Sequence, residues 1–313
     1  MVPEGDRSGL LITSLRVRTR IPHPPGRSGA FDHGDVDPVT GRVFVAHSDF
    51  GTVDIVDPDT LQVATAIEGC ADGSGVLCAG SLRLVFAAAR AAGKVLLIDP
   101  DRLEIIREIT VGPRPNGLAW DGGRGRLLVA DVDPSDQAAR VIDVSSSELI
   151  TRTPLPGRPR WCVFDDRADR FLINIREPAS LLSLSGSSGA IAGSWPISSA
   201  GPHGLDLDRD RGRAFVACDG ARVIVVDLAS GEELSTITIS GEPDAIWFNP
   251  RRQRLYVGIG NPGLLDVVDT ERATLVDSIP TEVGAKTSAF DVERQQLYVF
   301  LPRSCATVVL EQT

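Results

Sequence analysis

Short apolar runs recur along this chain at regular intervals, divided by turns rich in Asp, Gly and Ser. One stretch reads HGLDLD, AFVAC, RVIVVD and LSTITIS, separated by RDRGR, DGA and LASGEE. HGLDLD and LSTITIS alternate apolar with polar positions or carry β-branched residues, the pattern of half-buried strands. RVIVVD is nearly continuous, as for a strand covered on both faces. The Asp, Gly and Ser residues between the runs supply turn geometry.

This four-run unit repeats. An acidic or polar residue, five positions before an Arg-led second strand in most units, recurs as Asp37, Cys78, Asp121, Asp165, Asp208, Asn249 and Asp291, at intervals of 41, 43, 44, 43, 41 and 42 residues. The residue ending the third strand recurs as Asp57, Asp99, Asp143, Ser185, Asp227, Asp269 and Glu311, at intervals of 42, 44, 42, 42, 42 and 42. Four strands in about 42 residues is the repeat of a propeller blade. The expected fold is all-β: a seven-bladed β-propeller with four antiparallel strands per blade. It forms one domain over 1–313, with blades near 31–69, 70–112, 113–157, 158–198, 199–241, 242–284 and 285–313 plus 10–22. The seventh unit ends after its third strand, and LITSLRVRTRIP at Leu11 to Pro22 matches the fourth strands LEIIREITVG and ELSTITISG. The N-terminal strand is therefore expected to complete the last blade and close the ring, removing an open seam. The fourth unit, with Ser185 and SGSSG, is the most degenerate.

The Gly-His and Trp-Asp pairs of WD40-like repeats are missing, although the repeat length is the same. The second strands read FVAH, VFAA, LVAD, LINI, FVAC, YVGI and YVFL, and the third strands end in VDP, IDP, IDV, VDL or VDT. Across essentially the whole chain this resembles the YVTN-repeat (surface-layer and lactonase-like) propellers. Tyr256–Ile259, YVGI, comes nearest the family tetrapeptide. The resemblance implies a ligand site at one end of the central channel. It also implies relatives that are phosphogluconolactonases, carboxymuconate-lactonising enzymes or streptogramin lyases. None of their catalytic residues aligns here by motif, so none is carried over.

Charge narrows the ligand class. The net charge is -10 and the pI about 5.0. Some relatives bind single-stranded DNA, but this balance and the sparse aromatic residues disfavour nucleic acid here. No apolar run is long enough to span a bilayer, and the N-terminus lacks the layout of a signal peptide. The five cysteines (Cys70, Cys78, Cys162, Cys218, Cys305) form no CxxC pair. Together these features predict a cytoplasmic protein with reduced thiols. A closed ring is sufficient as a monomer. A small molecule is the expected partner, and a protein partner stays open.

Two rings of residues are expected at the channel mouth. The first, at the start of the innermost strands, is Asp32 with His33, Gly73, Asn116, Arg160, His203, Asp244 and Lys286. The second, at the ends of the second strands, is His47, Ala88, Asp131, Ile175, Cys218, Ile259 and Leu301. Three of the four histidines fall in these rings, and imidazole suits proton transfer or metal ligation near neutral pH. Trp161 adds an aromatic face. Arg90, Arg114, Arg158, Arg160, Arg176, Lys286 and Arg303 map to the same end and suit an anionic group on the ligand. A divalent metal held by His33, His47, Asp32 and Asp49, with His203 across the channel, is a further expectation, although the spacing matches no standard zinc signature. There is no GxSxG and no phosphate-binding glycine loop. Cys218 near His203 reads as a core thiol more readily than as a nucleophile.

Two functions follow. One is a small-molecule-binding propeller whose ligand carries an anionic group. The other is a lactonase-like hydrolase, lyase or isomerase. There His203 and His47 are the acid–base pair, Arg160 and Lys286 hold the anion, and Asp32 and Asp244 orient the histidines.

Overall fold

The structure is a computed structural model that describes residues 15–312 apart from 25 and 27. Among these residues seven four-stranded antiparallel sheets follow one another along the chain. In blade 1 the strands are Phe31–Val36, Val43–His47, Thr52–Asp57 and Gln62–Glu68, running outward from the channel in sequence order. The middle two strands of each blade are buried on both faces, which accounts for their unbroken apolar runs. The outermost strands alternate, as in Glu104–Thr110.

The core lies between blades rather than within any one of them. Phe44, Val53 and Ile55 of blade 1 pack with Val76, Val85 and Ala87 of blade 2, and equivalent clusters fill the other interfaces. A blade removed from the ring leaves apolar faces on both neighbours exposed, so the ring is stable only as a whole.

The seam closes as the terminal repeat predicts. Leu15–Pro22 pairs antiparallel with Ala306–Gln312, with Pro22 opposite Ala306 and Leu15 opposite Gln312. It forms the outermost strand of the blade whose inner strands come from the C-terminal end. Residues 11–14 of the expected strand lie outside the described residues. The degenerate fourth unit is a regular blade: Ser185 Oγ accepts the N–H of Ser188 and replaces the missing carboxylate in its turn.

Blade 2 corrects the expected register by one residue. Gly34, Val76, Leu118, Cys162, Leu205, Ile246 and Ser288 hold equivalent positions, opposite Val45, Ala87, Val129, Ile173, Val216, Val257 and Val299. The first turn marker in that blade is therefore Ala79 rather than Cys78. Its ring residues are Ser74 and Ala89 rather than Gly73 and Ala88. The cause is local. Lacking a side-chain acceptor, this turn is a short 3-10 segment, Gly80–Leu82, closed by Arg83 at φ 53°.

Candidate functional site

The mouth is built by a bulge repeated around the ring. In six of the blades the pairing of the innermost strand shifts near its start, for example between Phe31 and Gly34 and between Pro202 and Leu205. Bulges of this kind re-aim side chains. A proline opens the strand in four blades (Pro115, Pro159, Pro202, Pro243), where a missing N–H costs no ladder bond. The next position supplies Asp32, Ser74, Asn116, Arg160, His203, Asp244 and Lys286. The one after it is usually small because the next blade is close. A Cβ on Gly75 would sit 2.2 Å from Asn116 O, and one on Gly204 2.3 Å from Asp244 O. Blades 1 and 4 carry His33 and Trp161 there instead. These two rings stack on each other at 3.9 Å between centroids and an angle of 24°.

Asp244 is the hub of the mouth. Its Oδ2 pairs with Lys286 Nζ at 2.9 Å, and its Oδ1 lies 3.1 Å from His203 Nε2 and 3.5 Å from His33 Nε2. His203 Nδ1 donates to Asp219 Oδ1 at 3.0 Å, and Asp219 Oδ2 meets Arg176 Nε at 3.1 Å. Asn174, buried in the second strand of blade 4, donates to the carbonyls of His203 and Gly204 at 3.1 and 2.9 Å and so fixes the bulge that carries His203. On the opposite arc Arg90 donates to Asn116 Oδ1 and Asp32 Oδ2, both at 3.0 Å, and joins blades 1 to 3. A cavity of about 250 Å³ touches His203, Glu242, Asn261 and Lys286.

These contacts set the charges. Burial opposes ionisation of Asp244, but His203, Lys286 and His33 outweigh it and hold the carboxyl well below its usual range. Burial likewise depresses His203, yet Asp244 and Asp219 prevail and its pKa is raised. Burial lowers the pKa of His33 in spite of Asp32 and Asp244. Lys286 is raised by Asp244.

The raised imidazole has a pH consequence. The His203 ion pairs contribute fully below the unfolded value of 6.5, and that contribution is lost as pH rises through the raised folded value. The melting temperature of the native chain should therefore exceed that of His203→Gln most near about pH 6, with the gap narrowing toward about pH 9. A gap that stayed constant over that span would mean His203 carries no charge in the fold.

Arg160 stands apart. Burial lowers its pKa, and its Nε is buried without a hydrogen-bond partner. Beside it the exposed Arg158 is lowered by partial burial and by its electrostatic neighbours, Arg160, Arg176, Arg90 and Arg114. Asp244, Asp219 and Glu242 oppose the lowering at Arg160, whereas the neighbours acting on Arg158 are all cations.

Three expected site residues lie elsewhere. His47 belongs to a separate, fully buried group. Its Nδ1 and that of His23 both donate to Asp54 Oδ2, at 2.9 and 2.7 Å, while His23 Nε2 meets Thr307 Oγ1 at 2.8 Å. Asp131 is a buried partner of Arg140 at 3.1 Å and accepts the backbone N–H of Arg114 and Asp133. Cys218 is buried, and its thiol is pushed up to about 12 by burial. The expected metal donors are divided as well. Asp49 caps Ala30 N at 2.7 Å, and His47 sits with Asp54 rather than with His33 or His203. Among the described residues, His23, His47 and Asp54 are the group whose ligand atoms lie within 4.8 Å of one another. Both imidazoles lie within hydrogen-bond distance of the same carboxylate oxygen, Asp54 Oδ2. Side-chain signals for Asn174 and His23 existed: an Asn inside the apolar LINI strand, and a histidine directly after the closing strand.

Comparison with known proteins shows the fold and little more. No family model matches the chain. YncE of Salmonella typhimurium and YncE of Salmonella typhi, both described as uncharacterized proteins, are each 24% identical over 207 residues, covering 66% of this chain. The match spans about half of those relatives, 47% of their length. Among solved structures, a chain of Kuenenia stuttgartiensis hydrazine synthase superposes with a TM-score of 0.81 at 17% identity, covering 91% of this chain and 96% of that one. A chain of the mitotic checkpoint complex gives 0.81 at 13%, covering 99% and 96%. Among the described residues no helix is long and apolar enough to cross a membrane.

Proposed function

We propose that this chain is a propeller of the YVTN-repeat type that binds a small anionic molecule at the channel mouth, against Arg158 and Arg160. The observation that carries the reading is the guanidinium of Arg160, buried at Nε with no partner there and adjacent to a second arginine surrounded by like charge. A buried guanidinium N–H without a hydrogen-bond partner is costly, and a carboxylate or phosphate held by a guanidinium fork relieves that cost. The third-strand VDP and IDP turns and the partial match to YncE support the family placement. The free thiols of Cys70, Cys78, Cys162 and Cys218 support a reducing, cytoplasmic setting. Closure of the ring within one chain supports a monomer.

Isothermal calorimetry with small dicarboxylates and phosphate monoesters tests the site. Arg160→Ala should weaken the tightest of them by about tenfold to a hundredfold, the worth of one or two charged hydrogen bonds. Equal affinity in native protein and variant, or no saturable binding by the native protein, overturns the reading.

The lactonase-like alternative rests on His203, whose raised pKa suits a general acid. Both of its ring nitrogens already face carboxylates, which suits holding the mouth together better than delivering a proton. Turnover of a lactone that His203→Gln abolished, with anion affinity kept, would favour the enzyme.

A further inference from the structure

Beyond the His33–Trp161 stack the channel holds a second cavity, of about 250 Å³, unrelated to the arginine arc. Three of the four tryptophans line it, Trp120, Trp161 and Trp247, together with two carboxylates, Asp35 and Asp206. The carboxylates occupy equivalent positions in blades 1 and 5, opposite Phe44 and Phe215. Each is anchored in the same way. Asp35 accepts the N–H of Val36 and, across the blade boundary, of Cys78, both at 2.8 Å. Asp206 accepts those of Leu207 and Phe248, both at 2.7 Å. A carboxylate offers about four lone-pair sites, so acceptor capacity remains on both groups.

Neither carboxylate forms a salt bridge among the described residues. Arg209 is the one basic residue lining the cavity, and its guanidinium is engaged at the rim by Phe164 O at 3.0 Å and Asp166 Oδ1 at 3.3 Å. Burial pushes Asp35 up to about 7, with Asp206 adding to the effect, and raises Asp206 too. The cavity thus sets two half-buried carboxylates, of which Asp206 alone is offset by a cation, Arg209, against indole walls that attract cations.

We propose that this inner cavity is a binding site for a small organic ammonium ion, held between Asp35 and Asp206 against the tryptophan walls. A volume below the roughly 300–1,000 Å³ of drug-sized pockets restricts the ligand to a compact amine or quaternary ammonium. Trp161 separates this site from the anion site, so the two act on different ligands or on two ends of the channel independently.

Tryptophan emission reads the site directly, since three of the four indoles line it. The full chain is titrated with choline, with the uncharged carbon isostere dimethylbutanol, and with sodium chloride at matched ionic strength. Choline should give a saturable change, and the other two should not. Asp206→Asn and Asp35→Asn should each weaken choline by about tenfold or more. Circular dichroism confirms that each variant is folded. No saturable response to choline overturns the proposal. So does an equal response to dimethylbutanol, an experiment on the native protein that needs no variant to fold. Equal choline affinity in both folded Asn variants overturns it as well.

Discussion

A chain lacking residues 1–22 is expected to lose the cooperative unfolding of the whole ring, not a fringe of it. The deleted segment contains Leu15–Pro22, the outer strand of the blade that joins the two ends. Leu15 and Ile21 are 3% and 1% exposed. Burying two such side chains contributes about 3–6 kcal/mol, a large part of the roughly 5–15 kcal/mol that holds an ordinary domain. The loss does not stop there. The partner strand Ala306–Gln312 would become a bare edge with unpaired N–H and C=O groups, a template for association with other chains. Calorimetry should show a broad transition or one lowered by roughly 5–10 °C by the order of these energies, with oligomers on size-exclusion chromatography. A sharp transition at the native temperature would mean that the blade closes without this strand.

The second large effect is expected at Asp54. Its Oδ2 receives both His23 and His47, and its Oδ1 receives Thr52 Oγ1 at 2.7 Å. Burial works against the charge, yet hydrogen bonds from His23, His47 and Thr52 hold the carboxyl well below the usual range. His23 continues to Thr307 in the last blade, and Cys305 Sγ meets His23 O, so the group ties the closing strand to blades 1 and 7. Asp54→Ala would strand two buried imidazoles. Breaking a buried charged network in this way costs about 3–5 kcal/mol, a fall in melting temperature on the order of 10 °C. His47→Ala should also destabilise, because the ring stacks on Phe31 at 4.1 Å and fills space beside Gly29. The pH dependence has a definite sign. The depressed pKa of Asp54 contributes stability above the unfolded carboxylate value of 3.8 and loses it as pH falls below that value. Native protein should therefore melt progressively lower in acid, while Asp54→Ala shows a flatter profile. An Asp54→Ala protein as stable as the native one would show that the histidines find other partners.

What the sequence disclosed is what local chemistry repeats. The periodic aspartates are legible because each closes a turn within its own neighbourhood. Asp121 accepts the N–H of Gly123 and Arg124, Asp227 those of Ala229 and Ser230, and Asp291 those of Glu293 and Arg294. Where the acceptor is missing, as at Ala79, the register slipped by one residue. Convergence of Asp32, His33, Asn116, Arg160, Trp161, His203, Asp244 and Lys286 on the mouth follows from the blade repeat in the same way. The fate of His47 does not. It depends on His23, which lies outside every repeat and meets a residue 284 positions away, Thr307. Asp131 was equally opaque, because its partner Arg140 sits on the adjacent strand at a position no other blade uses for a cation. The inner cavity is not legible in the sequence, because Asp35 and Asp206 read as ordinary polar positions in alternating strands.

The blade shared by the two ends also fixes an order of events during synthesis. The strand Leu15–Pro22 is made well before its partner Ala306–Gln312. At about 5–20 residues per second the ribosome spends tens of seconds between them. Throughout that time the early strand has no ladder to join, and the growing ring is an open arc with one blade face bare at each end. The ring therefore cannot close until Ala306–Gln312 has been made. The nascent arc, rather than the finished ring, is the form on which chaperones would act.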